Sequence, residues 1–136
     1  MNIAKGKAGL AKGAVLYWLG IFAAGFVLGT VRVLWLAPRL GDLAAVACEL
    51  PVMLSASWVW AGRIVPRSRL PGRGAALMLG LAALVLLVSS ELALALALFG
   101  QTPGSWLAAL AAPAGLLGLA GQIGFGIIPA LVWRRG

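Results

Sequence analysis

Residues 14–36 read AVLYWLGIFAAGFVLGTVRVLWL, an apolar run broken by one charge, Arg32. An α-helix needs about 20 apolar residues to cross roughly 30 Å of hydrocarbon, so this stretch predicts a transmembrane helix. The competing reading is a secretory signal peptide, because Lys5, Lys7 and Lys12 precede the run. The apolar part of a signal peptide is only about 7–15 residues long. No A-x-A site closes the run, which continues Leu36-Ala37-Pro38-Arg39. The stretch is therefore read as an uncleaved span.

Three more runs follow. Pro38 and Gly41 make a turn, and a second span covers 43–62 with Pro51 inside it. A proline removes one helical hydrogen bond, which membrane helices tolerate where a neighbour re-satisfies the freed carbonyl. Residues 63–73 hold four arginines and two prolines and read as a polar loop. A third span covers 74–99. Its Leu/Ala alternation at 92–98 has the period of a strand, but a lone strand cannot satisfy its backbone in lipid, so helix is expected. After a turn at 100–104, a short helix over 105–112 is expected in the interface, ended by Pro113, and a fourth span covers 114–133. Residues 1–13 read as a basic arm that is a disordered terminus rather than a headgroup-binding element. The expected fold is an all-α membrane protein, a single four-transmembrane-helix bundle over 1–136 with N-in/C-in topology.

Composition agrees. Hydrophobic residues make up 62% of the 136 and charged residues 10%, against about 25% charged in a soluble domain. The mean hydropathy is +1.04. The net charge of +8 would suggest nucleic acid in a soluble protein. Here the cations sit at span ends as orientation signals, so no nucleic-acid partner is expected. Cys48 is the single cysteine, which precludes an internal disulfide. There is no histidine, which removes the commonest metal ligand and general base. No cofactor and no metal are expected.

The charges set the orientation. One side of the membrane receives Lys5, Lys7, Lys12, Arg63, Arg67, Arg69, Arg73, Arg134 and Arg135, and the other only Arg39, beside Asp42. The positive-inside rule puts the nine in the cytoplasm. Tyr17, Trp18, Trp58, Trp60 and Trp133 fall at inner span ends, and Trp35 and Trp106 at the outer edge. All six tryptophans are read as interface anchors, with the apolar ring in lipid and the N–H toward water.

Arg32, Glu49 and Glu91 are the ionisable residues within spans, and Gln122 is the strongest neutral partner. A charge at the bilayer centre costs about 2.5–3.5 kcal/mol on insertion scales, so such residues face inward and find partners. At 1.5 Å per residue the four lie about 6, 9, 12 and 12 Å from the outer boundary, shallow enough for one layer. Each shares a helical stripe with small residues: Gly25 and Gly29 with Arg32, Ala45, Val52 and Ala56 with Glu49, Gly80 with Glu91, and Gly115, Gly118, Gly126 and Pro129 with Gln122. Gly25, Gly29, Gly80, Gly118 and Gly126 are the expected helix-packing positions. If Arg32 pairs with one glutamate, the other is left over, and Glu91, the deeper one, is the expected protonatable member. A structural ion pair is weighed above a proton or ion relay, because the inner half of the membrane offers only Ser55 and Ser57 in the second span.

Chemistry is otherwise sparse. No Cys/His set has metal spacing, and no G-x-S-x-G or Walker loop occurs. Ser89 and Ser90 flank Glu91 but lack a base to activate them. No catalytic residue is assigned and an enzyme is not expected. The run from Gly25 through Thr30-Val31-Arg32-Val33-Leu34-Trp35 to Gly41, with Glu49-Leu50-Pro51-Val52-Met53 and Glu91, resembles a group of small hypothetical four-span inner-membrane proteins of proteobacteria. That resemblance implies a bacterial inner membrane and carries no mechanism. The expected role is an accessory or assembly subunit acting through helix–helix contacts, with other membrane subunits or a second copy as partner. A small proton- or ion-coupled transporter or channel is the alternative, and a lipid- or pigment-binding subunit the third.

Overall fold

The computed structural model describes residues 3–134, with side chains from Lys7 onward. All regular structure in this range is helical: α1 (Ile3–Val31), a π-helical segment (Arg32–Leu36), α2 (Ala37–Leu40), α3 (Asp42–Arg67), α4 (Arg73–Ala97), α5 (Pro103–Ala111) and α6 (Pro113–Val132). Four stretches are long and apolar enough to cross a membrane: Lys7–Leu40, Asp42–Arg67, Arg73–Ala97 and Pro113–Val132.

The helices outrun the apolar stretches that announce them. α1 begins at Ile3, so 3–13 is a helical extension of the first span and not a disordered arm. Ala and Lys are good helix formers, and a helix already nucleated by the span propagates through them cheaply. The expected loop at 63–73 shrinks for the same reason, since α3 continues to Arg67 with Pro66 inside its last turn. Ser68 then caps α3, and Arg69 turns the chain with a left-handed φ of 51°. At the other end of α1, Pro38 does not stop the helix. Its ring crowds the carbonyl of residue 34 and it has no N–H to offer. The backbone widens to π geometry over Arg32–Leu36, and the Ala37 N–H reaches the Arg32 carbonyl. The break comes at Gly41, with φ 86°. α5 opens with a reciprocal cap, in which Ser105 N–H donates to Thr102 Oγ1 and Thr102 N–H donates to Ser105 Oγ, both at 3.1 Å.

α1 and α6 each pack against both α3 and α4. The ends carrying Lys12, Ser68, Arg73 and Trp133 come together, since Gly9 and Gly13 lie on Ser68 and the Arg73 guanidinium reaches the Trp133 carbonyl. We refer to this as the basic end and to the end holding Arg39, Asp42 and α5 as the far end.

The core sits toward the basic end. Tyr17, Ile21, Ile64, Val65, Leu79, Ala83, Phe125 and Ile128 are its principal buried members. Gly80 and Gly126 set the α4–α6 distance, because a Cβ on Gly80 would overlap the Gly126 carbonyl. Pro129 leaves the Phe125 carbonyl without its helical N–H four residues on. The Tyr17 hydroxyl donates to that oxygen at 2.7 Å, and the two rings stack with centroids 4.3 Å apart. Tyr17 is fully buried, so it is a core group and not an interface aromatic.

Candidate functional site

Four polar side chains inside the spans form two contacts in the far half. Arg32, the first residue of the π segment, sets Nη1 3.1 Å from Glu49 Oε2 on α3. Gln122 on α6 donates from Nε2 to Glu91 Oε2 on α4 at 2.6 Å. The first contact ties α1 to α3 and the second ties α6 to α4. Both contacts lie in the half of the bundle away from Arg73 and Trp133, and we treat them as one polar region.

The pairs differ in quality. Arg32 and Glu49 form an ion pair without hydrogen-bond alignment: Glu49 Oε2 is buried and has no hydrogen-bond partner among the described residues. The Arg32 side chain keeps 32% of its surface exposed and Glu49 14%, as befits a guanidinium that reaches outward along an apolar stem. Glu91 and Gln122 form a short neutral-donor hydrogen bond. An amide N–H can donate to a carboxylate or to the carbonyl oxygen of a carboxylic acid, so this contact survives proton gain or loss at Glu91.

Three hydroxyls within the spans are turned to their own helices. Thr30, Ser57 and Ser90 donate to the carbonyls of Phe26, Met53 and Leu86, each one turn back on its own helix. Such back-bonding is the usual use of Ser and Thr in a helix. Cys48 is a free thiol exposed on the outside of α3. No group of three or more metal-ligating side chains gathers among the described residues.

Of the expected packing glycines, Gly80 and Gly126 make the close α4–α6 approach, and Gly25 faces Met53 at ordinary contact distance. A Cβ added at Gly118 would meet nothing within 4 Å, and one at Gly29 would meet only Arg32 of its own chain segment, so neither admits a neighbouring helix. Glycines beyond those expected also make close approaches, among them Gly9 and Gly13 against Ser68, Gly20 under Trp60, Gly115 against Ala109 and Leu110, and Gly121 against Leu50. No spacing rule separates these from the other glycines, which number 19 in the chain.

The tryptophans divide. Trp35 is exposed at the far end with the Arg39 guanidinium 4.7 Å from its ring centre. Trp58 is exposed, and Trp106 and Trp133 are half-buried. Trp60 departs from the anchor role, because its N–H donates to the Leu16 carbonyl at 2.9 Å and binds α3 to α1. Trp18 departs too: its ring packs on Phe22, and its N–H is buried with no partner among the described residues.

No protein-family model, curated protein or solved structure matches the chain.

Proposed function

We propose that this chain is a non-catalytic protein of a bacterial inner membrane, a four-helix bundle with both termini in the cytoplasm. It works through helix–helix contacts, as an accessory or assembly subunit of a larger membrane complex or as a homo-oligomer. The observation that carries this reading is that Arg32, Glu49, Glu91 and Gln122 are engaged with one another across helix pairs. The Thr30, Ser57 and Ser90 hydroxyls are engaged with their own helices. Polar groups used in this way fix helix positions and leave little for chemistry. Purification of the full chain in a mild detergent tests it. Co-elution with stoichiometric membrane partners or as a defined oligomer is expected, and a lone monomer at native expression level contradicts it.

A second reading rests on one feature, the buried Glu49 oxygen without a hydrogen bond beside a Glu91 that has no cation of its own among the described residues. Two carboxyls near one guanidinium can hold and pass a proton or small cation. Proteoliposome flux that falls in both Glu49→Gln and Glu91→Gln supports this reading. Flux unchanged in both, or no flux in the wild type, eliminates it.

A further inference from the structure

At the basic end a cavity of about 1000 Å³ opens between the ends of α3 and α6 and the turn into α4. Arg69, Arg73 and Arg134 stand around it, and Trp58, Trp133 and Leu131 complete its walls. The side-chain carboxylates that could neutralise these cations lie elsewhere. The chain has three acidic residues: Asp42 opens α3 at the far end, Glu49 faces Arg32, and Glu91 faces Gln122. Among the described residues, the one hydrogen bond made by these guanidiniums is long, from Arg73 Nη2 to the Trp133 carbonyl at 3.5 Å. Three like charges around one cavity repel each other, and an anion between them relieves that repulsion with charge-assisted hydrogen bonds.

The backbone adds to the same field. α4 begins at Arg73, and its N-cap Gly72 has no side chain to accept the first-turn amides. Both residues line the cavity, so the positive end of a 25-residue helix is directed there. The apolar walls then discriminate between phosphates. Leu131 and Val59 are each more than half exposed below the arginines. A free phosphate has no use for these surfaces, and an acyl chain does. Basic pockets between span ends are suited to phospholipid headgroups, and tryptophans at the rim suit the headgroup level.

The geometry points to a binding site for one anionic phospholipid, with its phosphate among Arg69, Arg73 and Arg134 and an acyl chain along Val59 and Leu131. The site does not depend on whether the chain joins a complex. The test is native mass spectrometry of the full chain from mixed micelles of phosphatidylglycerol and phosphatidylcholine, with inorganic phosphate as a competing arm. The wild type is expected to retain phosphatidylglycerol selectively. Each single Arg→Gln change at the three positions is expected to lower relative retention about fivefold, and the triple variant on the order of a hundredfold. The Lys7→Gln/Lys12→Gln double variant removes charge from the same end but outside the cavity, and is expected to retain the lipid. Leu131→Trp, which obstructs the apolar wall with the arginines intact, is expected to lower retention as well, and decides the matter if the triple variant loses helicity. Equal retention of the two lipids, an equal loss in the lysine variant, or displacement of the lipid by inorganic phosphate with Leu131→Trp silent would overturn the assignment.

Discussion

At the basic end, Gly9, Gly13 and Gly80 let backbones and side chains of neighbouring segments approach where a Cβ would collide, and Tyr17 lies fully buried against Phe125. At the far end, the π segment and α2 bury no residue at all, Leu34 and Phe99 are at least 70% exposed, and the inter-helix side-chain bonds are Arg32–Glu49 and Gln122–Glu91. Between apolar helices in lipid, burying a leucine gains little, because the acyl chains are as apolar as the neighbour. Association comes from close packing and from polar pairs. The basic end rests mainly on close packing around a buried core, and the far end adds the two polar pairs to the close approaches of Gly121 to Leu50 and of Gly115 to α5. The basic end is a scaffold set by shape, and the far end couples fewer close contacts to a few charges and dipoles and leaves more of its surface open.

This contrast is broken most forcefully by Gly80→Leu. The Gly126 carbonyl occupies the space the new side chain needs, and overpacking costs about 1–3 kcal/mol or more. Loss of the thermal transition in detergent, or a shift of well over ten degrees, is expected. Gly118→Leu at the far end meets nothing within 4 Å and is expected to leave the transition in place. Comparable shifts for the two would erase the difference between the ends.

Next in size is Arg32→Ala, which strands the partly buried Glu49. Breaking a fully buried pair costs about 3–5 kcal/mol, and the exposure of Arg32 reduces this to roughly 1–2 kcal/mol. Arg32→Ala combined with Glu49→Leu is expected to recover most of the loss in chemical denaturation, since both partners of the pair are then gone. Without recovery, the ion pair is not what joins α1 to α3.

Tyr17→Phe keeps the stacked ring and removes one hydrogen bond. Intramembrane hydrogen bonds average about 0.6 kcal/mol, with a maximum near 1.7. A value toward the upper limit is expected, because Pro129 leaves the Phe125 carbonyl no helical partner. Pro129→Ala restores that partner, so Tyr17→Phe is expected to cost less in the Pro129→Ala background. The double-mutant cycle reads this coupling directly. Glu91→Gln should be the mildest change, within about 0.5 kcal/mol, because an amide oxygen still accepts from Gln122. A large loss of stability would mean that the charge on Glu91, and not its shape, is what the far end requires.

Hydropathy makes four helices legible, because about 20 apolar residues in a row leave few alternatives in lipid. Helix ends are less legible. Apolarity marks what must leave water, while helix formation continues into residues that are content in water, as at 3–13 and at Arg63–Arg67. The four residues of the polar region can be singled out because charged and strongly polar side chains inside a span are rare. Their partners cannot be fixed, because depth along a helix is readable and rotation between helices is not. Tyr17, expected at the interface, carries a signal for its burial: Pro129 announces a free carbonyl on Phe125, and a buried phenol is a natural donor for it. Pro38 likewise announces crowding at residue 34, four residues before it, where the backbone widens beside Arg32.

The reading depends most on a bilayer with the basic end on its cytoplasmic side, and labelling by a membrane-impermeant maleimide tests that directly. In a Cys48→Ala background, Gln101→Cys places a thiol on an exposed far-end turn and Pro71→Cys places one on the exposed turn at the basic end. In intact spheroplasts the first is expected to label at once and the second only after the membrane is permeabilised. Labelling of Pro71→Cys alone would invert the orientation, and full labelling of both without permeabilisation would contradict the account.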